Sequence, residues 1–100
     1  SPEQSLWCGV IYQALKDAGR LHQLQDRYAE RTASGKPMMP HLERDLNEAR
    51  KAVAWLTKPS RDLAVVCEMA GIEMNSLLAQ RELIESGELE AFKELIASNE

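Results

Sequence analysis

The chain has no run of about 18 apolar residues, the length a membrane-spanning helix needs, so nothing in it is suited to cross a bilayer. Its first residues, SPEQSLW, contain no basic stretch leading into an apolar one, and a secretory leader is not expected. They also lack an initiator Met, as a fragment or a trimmed tag would. There are two cysteines, Cys8 and Cys67, each inside an apolar run where a free thiol behaves as a small hydrophobe. A reducing, cytoplasmic setting is the simpler expectation, with a Cys8 to Cys67 disulfide as the alternative.

Catalytic and cofactor signals are missing as well. No glycine-rich phosphate loop occurs. His22 and His41 lie in different segments, neither spaced from an acid or a cysteine as metal ligands or nucleophile partners are. A zinc site would require the fold to gather Cys8, His22, His41 and Cys67 from four separate places. The expectation is no enzyme, no cofactor and no metal. Period-two alternation is absent and no unit of 20 to 50 residues repeats, so a sheet or a solenoid is not expected.

What remains is a chain of 100 residues, enough for one domain with one modest core. At 44% hydrophobic and 28% charged it has the composition of an ordinary soluble domain. The formal charge of -4 is unevenly spread. Residues 1 to 57 hold 8 Lys and Arg against 7 Asp and Glu; residues 58 to 82 hold 3 against 4; residues 83 to 100 hold 1 against 5. An acidic total argues against indiscriminate binding to nucleic acid, which rests on a dominant basic surface. It leaves room for specific binding through a few placed side chains.

Helical spacing runs through most of the chain. Leu6, Trp7, Val10, Ile11, Ala14, Leu15 and Ala18 recur at steps of three and four, with Ser5 placed to cap and Gly19 to stop the run. Leu21, Leu24 and Tyr28 continue more weakly, as a second and shallower helix. Residues 32 to 40, TASGKPMMP, form the one clear loop. Its basic flank, with Arg27, Arg31 and Lys36 against Glu30, could touch a phosphate backbone, although a solvated connection is the plainer reading. From Pro40, a stripe of Leu42, Leu46, Ala49, Val53 and Leu56, widened by Ala52 and Trp55, marks a core helix that ends at Lys58-Pro59.

A corner follows. Ser60 can cap a helix to Met69, Gly71 breaks it, and Asn75 or Ser76 can cap a second helix bearing Leu77, Leu78, Leu83 and Ile84. Val66, Ala70 and Cys67 on the first helix, Gly71 at the turn, Ile72 after it and Leu77 on the second helix form the apolar pattern of a helix-turn-helix unit. The pair would span 60 to 69 and 73 to 84. Asn75, Ser76, Gln80 and Arg81 would then face base edges, and Lys58, Ser60 and Arg61 the phosphates. Arg44, Arg50 and Lys51 would add backbone contacts if their helix end lies nearby. Glu73 and Met74 suit a DNA groove poorly, and an exposed Met74 and Leu78 would suit a protein partner better. After Ser86-Gly87, Leu89, Phe92, Leu95 and Ile96 stripe an acidic closing helix over 87 to 98, the end of the bundle or a docking surface for a basic protein.

The blocks SLWCGVIYQALKDA (5 to 18) and EARKAVAWLTKPSRDLAVVCEMAGIEMNSL (48 to 77) resemble small helical proteins of proteobacterial phages and prophages. They are also similar to a segment of the transcriptional activators of alphaproteobacterial gene transfer agents. The Trp in the first block, the Ala-Trp-Leu run at 54 to 56 and the Val-Cys-Glu-Met-Ala-Gly-Ile corner carry the resemblance, over roughly half the chain. It implies transcriptional control through DNA, RNA polymerase or both, and transfers no residue-level site. Departures from the pattern are Glu73 and Met74 on the second helix and the loop at 32 to 40. The reading is an all-α bundle of five or six helices serving as a regulator domain that binds double-stranded DNA; such units commonly work as homodimers on paired half-sites, although the sequence shows no unambiguous dimer surface. The alternative is a module that binds RNA polymerase or another regulator without reading bases.

Overall fold

Helix α1, Pro2–Gly19, sends Cys8, Ile11, Leu15 and Ala18 inward on one face, at the spacing the sequence shows. The computed structural model describes residues 2 to 86, and the acidic helix expected over 87 to 98 lies outside them. The helix begins with Pro2, which needs no amide partner in a first turn. Ser5 is therefore an exposed interior residue and not a cap. Gly19 ends α1 without a left-handed turn, and Arg20 alone, in helical conformation, separates α1 from α2, Leu21–Ser34.

Only Leu24 of α2 is buried, with Leu21 and Tyr28 half-buried beside it. The helix stops at Gly35, where φ is 70° and the amide returns to the Thr32 carbonyl. The connection is consequently shorter than the sequence suggested: Thr32 to Ser34 stay helical, and Pro40 is already the first residue of α3, Pro40–Thr57. Arg31 Nε donates to the Pro37 carbonyl at 2.9 Å and ties the loop back to α2.

The long helix α3 is shared by two clusters of buried side chains. Its first half contributes Leu42, Leu46 and Ala49 to a small cluster with Leu24 of α2. Its last turn places Leu56 in the larger cluster with Ile11, Leu15, Leu63, Leu77 and Ile84. The chain leaves α3 at Lys58 in extended conformation, as a residue before proline prefers. Helix α4, Arg61–Ala70, begins on the Ser60 cap, whose Oγ accepts from the Leu63 amide at 3.0 Å. Trp55 Nε1 donates to Asp62 Oδ2 at 2.8 Å and ties α3 to the first turn of α4.

After the turn Gly71–Glu73 come α5, Met74–Leu78, and α6, Arg81–Ser86. The sequence leads one to expect a single helix here. Instead the Gln80 amide bonds the Leu77 carbonyl three residues back, a tightening that separates α5 from α6. No glycine or proline lies between Met74 and Ser86, so the break carries no local sequence signal. The architecture is an all-α bundle, with α1 packed on α3 and α4, and α6 laid across α1 and α3. Among the described residues there is no strand, and no helix is long and apolar enough to cross a membrane.

Both thiols are free and buried. Burial pushes the Cys67 thiol above its ordinary 9.0, because the interior disfavours the thiolate. Unfolding restores the ordinary value, so above it the unfolded chain has lost a proton that the folded chain keeps. Stability from this group therefore falls as pH rises through that range. The stability difference between the native chain and Cys67→Ala should narrow between about pH 7 and about pH 10 in denaturant titrations. A difference constant with pH would place Cys67 in an unperturbed environment.

Candidate nucleic-acid interface

The corner between α4 and α5 is built by a glycine that only its backbone can explain. Gly71 has φ 74°, its amide bonds the Glu68 carbonyl, and the next amide, Ile72, bonds the Cys67 carbonyl at 2.9 Å. This pair of returning bonds closes the helix end and turns the chain sharply. The residues expected inside the corner, Val66, Cys67, Ala70, Ile72 and Leu77, are all buried.

The buried Ala70 takes no part in these returning bonds, and α1 supplies donors to its carbonyl. Gln4 Nε2 and Cys8 Sγ both donate to it at 3.2 Å. Sequence reasoning did not single out Gln4, since a glutamine on an amphipathic helix has no local feature pointing to a carbonyl 66 residues away. The positive φ requires the glycine, and a Cβ there would also displace the flexible Gln4 side-chain amide from its place beside the Ala70 carbonyl.

The expected base-facing residues divide into two groups. Asn75 and Ser76 are exposed on α5, inside the helix and not capping it, because α5 begins at Met74 with Glu73 before it. Gln80, half-buried, lies in the tightened turn, and Arg81 opens α6 exposed. The second helix of the corner is thus five residues long, and Arg81 belongs to a different helix from Asn75 and Ser76. Met74 and Leu78 are half-buried and packed against the larger core, so they form no exposed apolar patch.

Lys58, Ser60 and Arg61 are exposed together in the link into α4 and its first residue. The Ser60 oxygen is engaged as a cap, leaving only its hydroxyl hydrogen for an outside acceptor. Arg50 and Lys51 lie in the second half of α3, and Lys51 pairs with Glu48 at 3.7 Å. Arg44 pairs with Asp45 at 3.8 Å, some 14 residues before Lys58, or roughly 20 Å along the helix. It lies too far along α3 to join the corner.

Charge around the corner is mixed. Over residues 58 to 86, Lys58, Arg61 and Arg81 face Asp62, Glu68, Glu73, Glu82 and Glu85. The outer face of α4 also exposes Val65 (50%) and Met69 (38%). The histidines are far from the thiols in role: His22 Nε2 lies 2.6 Å from the Glu85 carbonyl, while His41 is exposed at the start of α3. Among the described residues no group of three or more His, Cys, Asp or Glu could hold a metal.

A second feature lies at the opposite end of α3. Arg20 from the α1–α2 junction, Arg27 and Arg31 from α2, Lys36 from the loop and His41 from α3 border a cavity of about 320 Å³. The basic flank was legible for Arg27, Arg31 and Lys36; Arg20 and His41 join them only through folding. No family model, curated protein or solved structure matches this chain.

Two substitutions probe this geometry. Gly71→Val should destabilise the fold by about 1 to 3 kcal/mol, since a β-branched residue is strained at positive φ. Gly71→Ala should cost less, and less again in a Gln4→Ala background where the added Cβ has room. An unchanged denaturation midpoint for Gly71→Val would show that the turn is not left-handed. Ser60→Ala should cost about 1 kcal/mol through the lost cap, read by chemical denaturation. An unaltered midpoint there would remove the cap from the account of α4.

Proposed function

We propose that this chain is a transcription-regulator domain that binds double-stranded DNA through the α4 to α5 corner, used as a helix-turn-helix. The observation that carries the reading is the polarity of α5. Its apolar residues Met74, Leu77 and Leu78 are committed to the core, and Asn75 and Ser76 remain outside with Arg81 beyond them. The buried residues inside the Gly71 corner, Val66, Cys67, Ala70, Ile72 and Leu77, favour it too, because they fix the second helix against the first. Asn75 would read an adenine edge and Arg81 a guanine, while Lys58 and Arg61 hold phosphates on either side of the α4 start. The resemblance of residues 5 to 18 and 48 to 77 to phage proteins and gene transfer agent activators points the same way, to a cytoplasmic regulator. A homodimer on paired half-sites is the arrangement such a corner commonly uses.

A second reading has its own observation. Val65 and Met69 expose apolar surface on α4 beside a net-acidic corner, which suits a protein such as RNA polymerase or another regulator. In that reading the domain modulates its partner without reading bases.

Titration against a pool of fragments from the source genome, at two salt concentrations, separates the two. Arg81→Ala should weaken selective binding by about 1 to 3 kcal/mol with the fold intact, and Lys58→Ala/Arg61→Ala should lower affinity and flatten the salt dependence. Equal affinity of Arg81→Ala and parent removes Arg81 from the reading set. Absence of selective binding at micromolar protein rejects the DNA reading in favour of the protein partner.

A further inference from the structure

We propose that the cleft between α2 and the start of α3 binds a phosphate-bearing organic anion of about mononucleotide size. The cleft lies at the far end of α3 from the Gly71 corner and uses none of its residues, so the proposal stands or falls independently of the DNA-reading one.

Its shape comes first. The cavity of about 320 Å³ is at the lower end of the range for small-molecule sites. Leu24 and Leu42, both buried, and Met39 give it apolar lining on which a ring or hydrocarbon can rest.

Charge then selects the ligand. Arg27 and Arg31, one turn apart on α2, line the cavity together with Arg20 just before that helix and Lys36 from the loop. Two carboxylates, Glu30 and Asp45, also border the cavity. Asp45 is already engaged by Arg20 at 3.7 Å and Arg44 at 3.8 Å. Arg27, Arg31 and Lys36 are left against Glu30 alone, an excess of two positive charges at one cavity. Among the described residues, the side chains of Arg27 and Lys36 make no hydrogen bond or ion pair. Like charges gathered this way repel one another while the site is empty, and a dianion relieves them.

Geometry favours phosphate as that dianion. The Arg31 guanidinium is held by its Nε bond to the Pro37 carbonyl, which leaves its two terminal amino groups available and costs little further ordering on binding. A guanidinium fork matches two oxygens of one phosphate, and a phosphate monoester carries nearly two charges near neutral pH. The same group can arrive on a free nucleotide or as part of a nucleic-acid strand.

The test is an amide NMR titration of the full chain with AMP, with adenosine, and with duplex DNA, repeated on Arg27→Ala/Lys36→Ala. AMP should bind saturably and shift the amides of Arg27, Arg31, Lys36 and His41, with adenosine at least about tenfold weaker. The double variant, with an unchanged circular dichroism spectrum, should lose at least about tenfold in AMP affinity. If DNA and not AMP moves these amides, and the double variant weakens it, the phosphate is that of a nucleic-acid strand. The proposal is overturned if neither AMP nor DNA moves them, or if the double variant binds as tightly as the parent.

Discussion

The carbonyl of Ala70 and the left-handed glycine after it hold the larger core in register. A helix end leaves its last carbonyls without intrahelical partners, and burying one unpaired is costly. Here Gly71 reverses the chain so that its own amide and that of Ile72 return to Glu68 and Cys67, while the Ala70 carbonyl accepts from Gln4 and Cys8 of α1. That single junction fixes three elements at once. It sets where α4 stops, sends Ile72 and Leu77 inward, and registers α1 along α4 so that Ile11 and Leu15 meet Leu63 and Leu56 in one cluster. The dispersion and hydrophobic gain of that cluster depends on such registry, because an interior tolerates little misfit.

Helix α3 joins this core to the smaller one and, in doing so, separates two surfaces of opposite character. Near its end, Trp55 bonds Asp62 beside a corner whose acids outnumber its bases. Near its start, arginines from α2 crowd a partly apolar cavity. With the proposed phosphate site, the opposite charge balance at the two ends of α3 would orient the molecule cleft first toward a polyanion. Attraction to phosphate would then be concentrated away from the corner, where binding to DNA would rest on a few directed contacts rather than on bulk charge.

Much of this was legible where the determinants are local. The α3 stripe, the Ser60 cap and the Gly71 stop each depend on residues within about one turn, and each stands where spacing and capping preferences put it. Ser5 misled because proline three residues earlier is an equally good start, and the helix takes the longer course. The division of α5 from α6 was illegible for the opposite reason: a change from a four-residue to a three-residue return bond at Gln80 needs no breaker residue. The Gln4 to Ala70 bond and the meeting of Arg20 and His41 with the basic flank are products of tertiary placement, and no periodicity encodes them.

Under the proposed function, the break after α5 would constrain how the corner reads DNA. A long recognition helix presents successive turns along one groove, so residues three or four apart contact neighbouring bases on one line. Five residues of α5 supply only Asn75 and Ser76 in that manner. Arg81 approaches from α6, whose direction is set by Ile84 in the core and by His22 against the Glu85 carbonyl. A groove contact by both groups thus requires α6 to hold its angle, and α6 is held by α1, α2 and α3 rather than by the corner itself. Base selectivity in this domain would then depend on the same bundle packing that sets its stability, and a change at the α2 to α6 contact would reach the reading surface without touching DNA.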